Sequence, residues 1–140
     1  MNNKEEIRYI IHKLDKSFKI NIDNELSDHD LTYSQSQLLR HIFEHNGTLS
    51  QKEIQALMNV SHPTVVGLVK RLEAKGYVSS EVDHDDKRNR IVMTTELANN
   101  FKSDMFASKE KFDEKMFIGF DEKEISELYS MLKHMLNNIC

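Results

Sequence analysis

Cysteine, proline, glycine and tryptophan are all scarce in this chain of 140 residues, which contains one Cys, one Pro, four Gly and no Trp. The single cysteine, Cys140, excludes an internal disulfide and is typical of a reducing compartment. Because proline and glycine are so few, no flexible linker divides the chain. Its length is that of one domain with a substantial core.

Long apolar runs are also missing, since no stretch approaches the roughly 20 apolar residues of a membrane span. Residues 1–6 are polar and acidic, whereas a signal peptide would be basic and then apolar. We therefore expect a cytoplasmic protein with no membrane partner.

Catalytic motifs are absent from the sequence as well. It contains no Gly-rich phosphate loop, no Gly-x-Ser-x-Gly and no paired acids on an apolar background. His41 and His45 have the i, i+4 spacing of two metal ligands, but the predicted helix after Thr95 contains no His to complete a zinc site. We predict neither an enzyme nor a cofactor and assign no metal site. A zinc-responsive sensor that uses His41 and His45 is kept as an alternative.

The most informative stretch runs from Leu49 to Arg90 and is typical of a winged helix-turn-helix. Ser50 and Glu53 form a capping box that predicts the start of a first helix, and Asn59 is a plausible left-handed end to it. Ile54, Leu57 and Met58 are predicted to form its buried stripe.

A second helix is predicted to begin at Ser61, with Pro63 in its first turn, and to stop at Gly76. Its buried stripe is Val65, Leu68, Val69 and Leu72, which leaves an outer face of His62, Thr64, Val66, Gly67, Lys70 and Arg71. An outward Val beside a Gly is unusual on a solvated face. In a DNA major groove both are reasonable, since Gly permits close approach and a Val methyl can contact a thymine methyl.

Tyr77 to Val82 and Ile91 to Met93 are predicted to form a β-hairpin, the wing, around a polar turn. Lys87, Arg88 and Arg90 could each reach a phosphate backbone or a narrow minor groove from this turn. The acids Asp83, Asp85 and Asp86 would repel phosphate, so we expect some of them to orient the arginines by ion pairing.

The net charge of −4 is unusual for a protein that binds nucleic acid. Residues 61–90 carry six basic and five acidic side chains, a net of +1, so the rest of the chain carries −5. Because binding depends on the local field, we expect modest non-specific affinity and strong salt sensitivity.

Amphipathic helices are predicted on both sides of this stretch. One runs from Glu5 to about Ile22, with the bend into the next segment expected within 21–30, and a helix follows over Tyr33 to His45. Beyond the wing, a helix capped by Thr94 or Thr95 should bury Leu97, Phe101 and Met105, and a last helix opens at Asp121. A monomer of this size cannot cover so much apolar surface, so we predict a homodimer.

The chain resembles the MarR family of bacterial transcriptional regulators, and within it the repressors of multidrug efflux pumps. The resemblance rests on the order and spacing of Leu31-Thr32-x-x-Gln35, Leu49-Ser50-x-x-Glu53-Ile54, Ser61-x-Pro63-Thr64-Val65, Leu72-Glu73-x-Lys75-Gly76-Tyr77-Val78, Asp86-x-Arg88 and Met93-Thr94. It implies a mainly α fold with a small β-hairpin wing. Residues 1–30 and 95–140 would form a helical dimerisation region, and residues 31–94 a winged helix-turn-helix that binds DNA.

The resemblance further implies roles for particular residues. Ser61, His62, Pro63, Thr64 and Gly67 would lie at the DNA-facing start of the recognition helix, and Arg88 would be the wing arginine oriented by Asp86. The segment from Arg88 to Met93-Thr94 is one residue shorter than the usual family pattern, so Lys87, Arg88 and Arg90 remain competing candidates for the wing tip. Leu97 stands where the family commonly has Gly.

The predicted function is a ligand-responsive repressor that binds an inverted repeat in double-stranded DNA as a homodimer. The resemblance implies that a small-molecule inducer binds between the dimerisation helices and the winged helix. A winged-helix module that contacts other proteins instead of DNA is the remaining alternative.

Overall fold

Helices account for most of the chain in the computed structural model, which describes residues 2–140. Within that range the elements are α1 (Asn3–Asp28), α2 (Tyr33–Glu44), β1 (Thr48–Ser50), α3 (Gln51–Met58), α4 (His62–Ala74), β2 (Val78–Val82), β3 (Arg90–Thr94), α5 (Glu96–Met116) and α6 (Glu122–Ile139). The predicted fold class, mainly α with a small wing, is confirmed. Met1, which begins the predicted helical region, lies outside the described residues.

The three strands form one antiparallel sheet in the order β1-β3-β2. Strands β2 and β3 are the predicted wing hairpin, with Ser80 opposite Val92. The third strand, β1, was not predicted, and it places Leu49 on the other side of Val92. It has only three residues, and its last residue, Ser50, also caps α3, so its local sequence reads as a helix start rather than a strand.

The core lies where α2, α3, α4 and the sheet meet. Its fully buried side chains are Leu38, Leu39, Ile42, Ile54, Val65, Val69, Leu72 and Val92. The predicted stripe of α4 is therefore confirmed, including Leu68, which is also buried. Successive turns of the short helices each contribute side chains to this core. The packing of its inner face fixes the position of α4 and leaves the opposite face of the helix unpacked.

Two of the predicted core leucines are exposed instead. Leu57 of α3 is 43% exposed and Leu97 of α5 is 45% exposed. In α3 the inward positions are Gln51, Ile54 and Met58, so Leu57 lies at the edge of the buried face. In α5 the inward residue is Ala98, one position and about 100° of helix beyond Leu97.

Helix α1 is longer than predicted, because it continues to Asp28 through the segment in which a bend was expected. The chain reverses at His29 and at Asp30, whose φ is +55°. The N–H of Leu31 then donates to the carbonyl of Leu26, and both leucines are buried. The burial of Leu26 explains why α1 continues to Asp28. It anchors the C-terminal end of the helix, so the mostly polar residues 21–25 remain helical.

Polar contacts tie this reversal to the end of α4 and the start of β2. The Lys75 Nζ donates to the main-chain oxygen of Asp30 at 2.6 Å and to Gln35 Oε1 at 3.0 Å. The Tyr77 hydroxyl donates to the main-chain oxygen of His29 at 2.7 Å. These three bonds fix the segment between α4 and β2 against the α1–α2 connection and the first turn of α2.

Replacing Tyr77 by Phe is expected to cost about 1 kcal/mol of unfolding free energy at neutral pH, because the His29 carbonyl loses its partner. Burial, and then the charge of Asp30, raises the pKa of Tyr77 above the ordinary 10.0. A raised pKa means that the stabilisation is complete below pH 10 and is lost as pH rises through the folded-state pKa. The stability difference between wild type and Tyr77→Phe should therefore shrink above pH 10.

Urea unfolding from pH 7 to 11 would measure this difference, with Tyr33→Phe as the control because Tyr33 is exposed. At neutral pH, Tyr33→Phe should change the unfolding free energy by less than about 0.5 kcal/mol. A Tyr77→Phe difference that stays constant from pH 7 to 11 would contradict the prediction.

The chain divides into two compact units between Met105 and Phe106. The first contains α1 to α4, the sheet and the start of α5. In the second, α6 opens with an Asp121–Glu124 capping box, as predicted. Among residues 2–140, no helix is long and apolar enough to span a membrane.

Candidate nucleic-acid interface

Helices α3 and α4 form a tight helix-turn-helix whose ends are set by their own side chains. The Ser50 Oγ accepts from the Glu53 N–H at 3.1 Å, and Glu53 Oε1 accepts from the Ser50 N–H at 3.1 Å. Helix α3 ends at Asn59, whose φ is +52°. The predicted capping box and left-handed end are therefore confirmed, and α4 begins after a turn of only three residues, 59–61.

The start of α4 is capped by Ser61. Its Oγ accepts from the Thr64 N–H at 3.4 Å and lies 2.9 Å from Thr64 Oγ1. Pro63 is in the first turn, where a missing N–H leaves no helical bond unmade. Local capping thus presents Ser61, His62, Pro63 and Thr64, all exposed, at one end of the helix.

The outer face of α4 continues from this end as the sequence predicted. Lys70 and Arg71 are exposed, and Val66 and Gly67 are half-buried. A Cβ placed on Gly67 would approach nothing closer than the Arg71 Nη1, at 3.6 Å, which is an ordinary contact. Packing within the chain therefore does not require glycine at this position.

The wing ends in a β-turn over Asp86 to Asn89, closed by a 2.9 Å bond from the Asn89 N–H to the Asp86 carbonyl. Lys87 and Arg88 are its two central residues and form the tip. Arg90 is the first residue of β3, where it pairs with Val82. The geometry separates three cations that the sequence left equivalent, since Lys87 and Arg88 lie in the turn and Arg90 lies in a strand.

The expected ion pairs between wing acids and wing arginines are not found among residues 2–140. The Asp86 carboxylate instead accepts from the main-chain N–H of Arg88 at 3.1 Å. Asp83 Oδ1 accepts from the Asp85 N–H in the same way, at 3.0 Å. A carboxylate in a tight turn reaches the backbone two residues on more readily than a long side chain, so Asp86 shapes the turn rather than neutralising Arg88.

Five cations surround this surface with their side chains unengaged. Within the described chain, no hydrogen bond or ion pair from a protein group involves the side-chain nitrogens of Lys70, Arg71, Lys87, Arg88 and Arg90. Lys75, by contrast, is occupied by Asp30 and Gln35. The free cations are available to a phosphate backbone, and Lys75 acts structurally.

Asn89 is a residue of this surface that the sequence reasoning missed. It is half-buried, and its Oδ1 accepts from the Lys52 N–H at 3.3 Å and the Arg90 N–H at 3.1 Å. Its main-chain oxygen accepts from the Asp83 N–H at 3.1 Å. The turn preference of Asn was a usable signal for its place after the tip, but the contact with α3 is not local in sequence.

The two histidines of the alternative metal site are at the end of α2. The His45 Nδ1 lies 2.7 Å from the main-chain oxygen of His41, so this nitrogen is engaged at the helix end. In the part of the chain that the structure describes, no group of three or more His, Cys, Asp or Glu is arranged to hold a metal.

Comparison with known proteins gives the surface its context. The MarR family model matches residues 29–89. YwoH, an HTH-type transcriptional regulator of Bacillus subtilis strain 168, is 30% identical over 130 residues, which are 89% of this chain and 93% of YwoH. The chain belongs to the MarR family. It is a winged-helix transcriptional regulator and not an enzyme, as the sequence predicted.

A further relative in sequence and a solved structure are also similar to this chain. The HTH-type transcriptional regulator SarZ of Staphylococcus haemolyticus is 32% identical over 113 residues, covering 81% of this chain and 75% of SarZ. A crystal structure of S. aureus MepR in complex with DNA superposes with a TM-score of 0.84 at 22% identity, over 95% of this chain and 99% of that one. The MepR structure shows that the fold is shared.

Proposed function

We propose that this MarR-family chain is a cytoplasmic repressor that binds an inverted repeat in duplex DNA as a homodimer and is released by a small molecule. The observation that carries the proposal is the outer face of α4 together with the turn of the wing. On this face of α4 nothing packs closely against Gly67, and the cations of α4 and of the wing have no partner in the described chain. The shared fold with a DNA-bound MepR supports the same orientation toward a duplex.

Each part of the surface has a role in the proposed complex. Helix α4 enters the major groove, where Thr64 and Val66 contact base edges and Gly67 lets the backbone approach. Ser61, His62 and Pro63 lie at the end of the helix nearest the bases. Lys70 and Arg71 contact phosphates, which fix register and carry no sequence information.

The wing adds contacts beside the major groove. Lys87 and Arg88 at its tip reach the adjacent phosphates or minor groove, and Arg88 is the residue we assign to the minor groove. Arg90 contacts a phosphate from the base of the wing, and Asp86 holds the tip turn in shape through the Arg88 N–H.

Dimerisation is supported by apolar surface that each unit leaves uncovered. In α6 the exposed residues Leu132, Met135, Leu136 and Ile139 repeat at helical spacing. In α1 the residues Ile7, Ile10, Ile11 and Leu14 do the same. Apolar stripes of this length on both terminal helices match a second copy of the chain, which would place two recognition helices about 10 bp apart.

A cleft beside Lys75 supports the response to a ligand. It has a volume of about 290 Å³, at the lower end for small-molecule sites, and is lined by residues that include Leu26, Asp30, Leu31, Tyr33 and Lys75. Lys75 follows directly on α4, so a molecule bound here would compete with the contacts that hold the recognition helix to the α1–α2 connection. Displacing these Lys75 contacts would move α4 and so change the spacing of the two recognition helices in the dimer.

The test is binding of the purified protein to a duplex from upstream of its own gene, against a scrambled duplex, across a salt series. A specific regulator should prefer the native duplex by about a thousandfold and lose affinity steeply with salt. Weak and equal binding to both duplexes, by protein that native mass spectrometry finds free of small molecules, would contradict the proposal.

Replacing Gly67 by Ala is expected to change stability and operator binding in opposite directions. Alanine should stabilise the helix by about 1 kcal/mol, because the site has room for a Cβ and glycine is a poor helix former. The same methyl should lower operator affinity about tenfold by holding α4 away from the bases. Urea unfolding and operator titration would measure the two effects.

Binding of Gly67→Ala to the scrambled duplex is the internal control, since non-specific binding depends on phosphates and should stay the same. Unchanged or tighter operator binding would mean that α4 does not approach bases at Gly67.

A further inference from the structure

Asn89 joins two parts of the proposed interface that are distant in sequence. Its own N–H and carbonyl close the wing, bonding to Asp86 and Asp83 respectively. Its side chain leaves the wing and contacts α3 at Lys52, 37 residues away. Asn89 is also half-buried, although the preceding residues 84–88 are all exposed.

The contact satisfies a specific need of α3. The first N–H groups of a helix have no partner within the helix. Ser50 provides an acceptor for the N–H of Glu53, and Asn89 Oδ1 provides one for the N–H of Lys52. Helix α3 is therefore capped jointly by its own N-cap residue and by the wing.

This joint cap contributes to the position of the wing turn relative to the recognition helix. Helix α3 holds α4 through the three-residue turn and through the shared core of Ile54, Val65 and Val69. A wing bonded to the first turn of α3 consequently has a defined position relative to α4. Without that bond, the strands of the hairpin would still be held by the ladder with β1, by the buried Val78 and Val92 and by the hydrogen bond from Ser80 to Glu73 of α4, but the end of its turn would lose its hydrogen bond to α3.

We propose that Asn89 is a positioning residue for DNA binding, which lets α4 and the wing arginine contact the duplex at the same time. The inference rests on the proposed function, because it assumes that both elements touch DNA. Asn89 itself contacts no base in this scheme, since its Oδ1 is already occupied by Lys52 and Arg90.

Salt dependence separates positioning from direct contact. We expect Asn89→Ala to lower operator affinity about tenfold, because one cap is lost in each subunit. The slope of log affinity against log salt should not change, since the bound complex still makes every phosphate contact and the lost affinity is the cost of ordering the wing on binding. A variant that removes a phosphate contact lowers the slope as well as the affinity.

A double-mutant cycle tests the contact itself. Lys52→Pro removes the N–H that Asn89 accepts, at the same helical position that Pro63 occupies in α4. Lys52→Ala is the matched control, because it removes the same charge and keeps the N–H. Lys52→Pro should bind the operator more weakly than Lys52→Ala, by about the same factor by which Asn89→Ala binds more weakly than wild type. Adding Asn89→Ala to Lys52→Pro should then lower operator affinity little further.

Hydrogen exchange of the Lys52 amide measures the bond without DNA. The amide should exchange faster in Asn89→Ala than in wild type, and by a larger factor than the amides of the buried Ile54 and Leu72, which report the loss of overall stability. The inference would be overturned if Asn89→Ala left the exchange of the Lys52 amide or the operator affinity unchanged, or if it reduced the salt slope. It would also be overturned if the affinity losses of Lys52→Pro and Asn89→Ala simply multiplied in the double variant. A wild type that does not prefer its operator would instead overturn the proposed function, and the inference with it.

Discussion

Replacing Leu136 by Glu is expected to lower operator affinity about a thousandfold, because a single subunit binds only one half-site and loses the gain of linked binding. Leu136 is in the apolar stripe of α6 and is 50% exposed in the isolated chain. A second subunit would bury it, and burying an unpaired carboxylate is strongly unfavourable. Sedimentation should find a monomer at concentrations where the wild type is a dimer.

Asn137→Glu is the matched control for this variant. It adds the same charge to the same turn of α6, within the polar stripe of Ser126, Ser130 and Lys133. We expect it to remain dimeric and to bind the operator with little loss. A dimeric Leu136→Glu protein would mean that α6 does not form the interface. A monomeric one that binds the operator as tightly as wild type would mean that operator binding does not require the dimer.

Replacing Arg88 by Ala is expected to lower operator affinity by at least about a hundredfold, because charged contacts contribute about 1.5–3 kcal/mol each and a dimer loses two of them. The guanidinium is at the centre of the tip turn with no partner in the described chain. The slope of log affinity against log salt should also become shallower, by about two for the pair. Operator titrations between low and moderate salt would measure both quantities.

Arg40→Ala provides the control for the change in net charge. Arg40 is exposed on α2 and bonds to Gln37 and Glu44, and it lies outside the surface of α4 and the wing. Its removal should change operator affinity by less than about threefold. If Arg88→Ala and Arg40→Ala behaved alike, the wing arginine would not contact DNA.

Local rules were enough to predict most of the helix-turn-helix. The Ser50–Glu53 capping box, the left-handed Asn59 and the Ser61 cap each depend on residues within four positions of one another. The outer face of α4 followed from the same regularity, because a buried stripe of Val65, Leu68, Val69 and Leu72 leaves only one side free. These predictions required no knowledge of the tertiary structure.

Predictions failed where the outcome depends on packing between distant segments. Leu57 and Leu97 have the right spacing for a core, yet each lies at the edge of a face whose centre is set by neighbouring elements. Strand β1 exists because β3 pairs with it, which its own three residues do not reveal. The contact between Asn89 and Lys52 could not be predicted for the same reason, because the two residues are distant in sequence and only the fold brings them together.

The wing illustrates both situations within one hairpin. The sequence identified its strands and its three candidate cations from composition and alternation. Which cations form the tip depends on where the β-turn closes, and a shift of two residues would have made Arg90 one of its two central residues. The prediction that the wing acids form ion pairs with the arginines was wrong, because the Asp86 carboxylate accepts from the nearby backbone N–H of Arg88 instead.

The central claim is that two copies of α4 read one duplex with fixed spacing. Its most direct test is the affinity of wild-type protein for its operator against the same operator with five base pairs inserted between the half-sites. Such an insertion turns one half-site to the opposite face of the DNA, since a helical turn is about 10 bp. Affinity should fall to that of a single half-site. Equal affinity for the two duplexes would contradict a rigid dimer that reads successive major grooves.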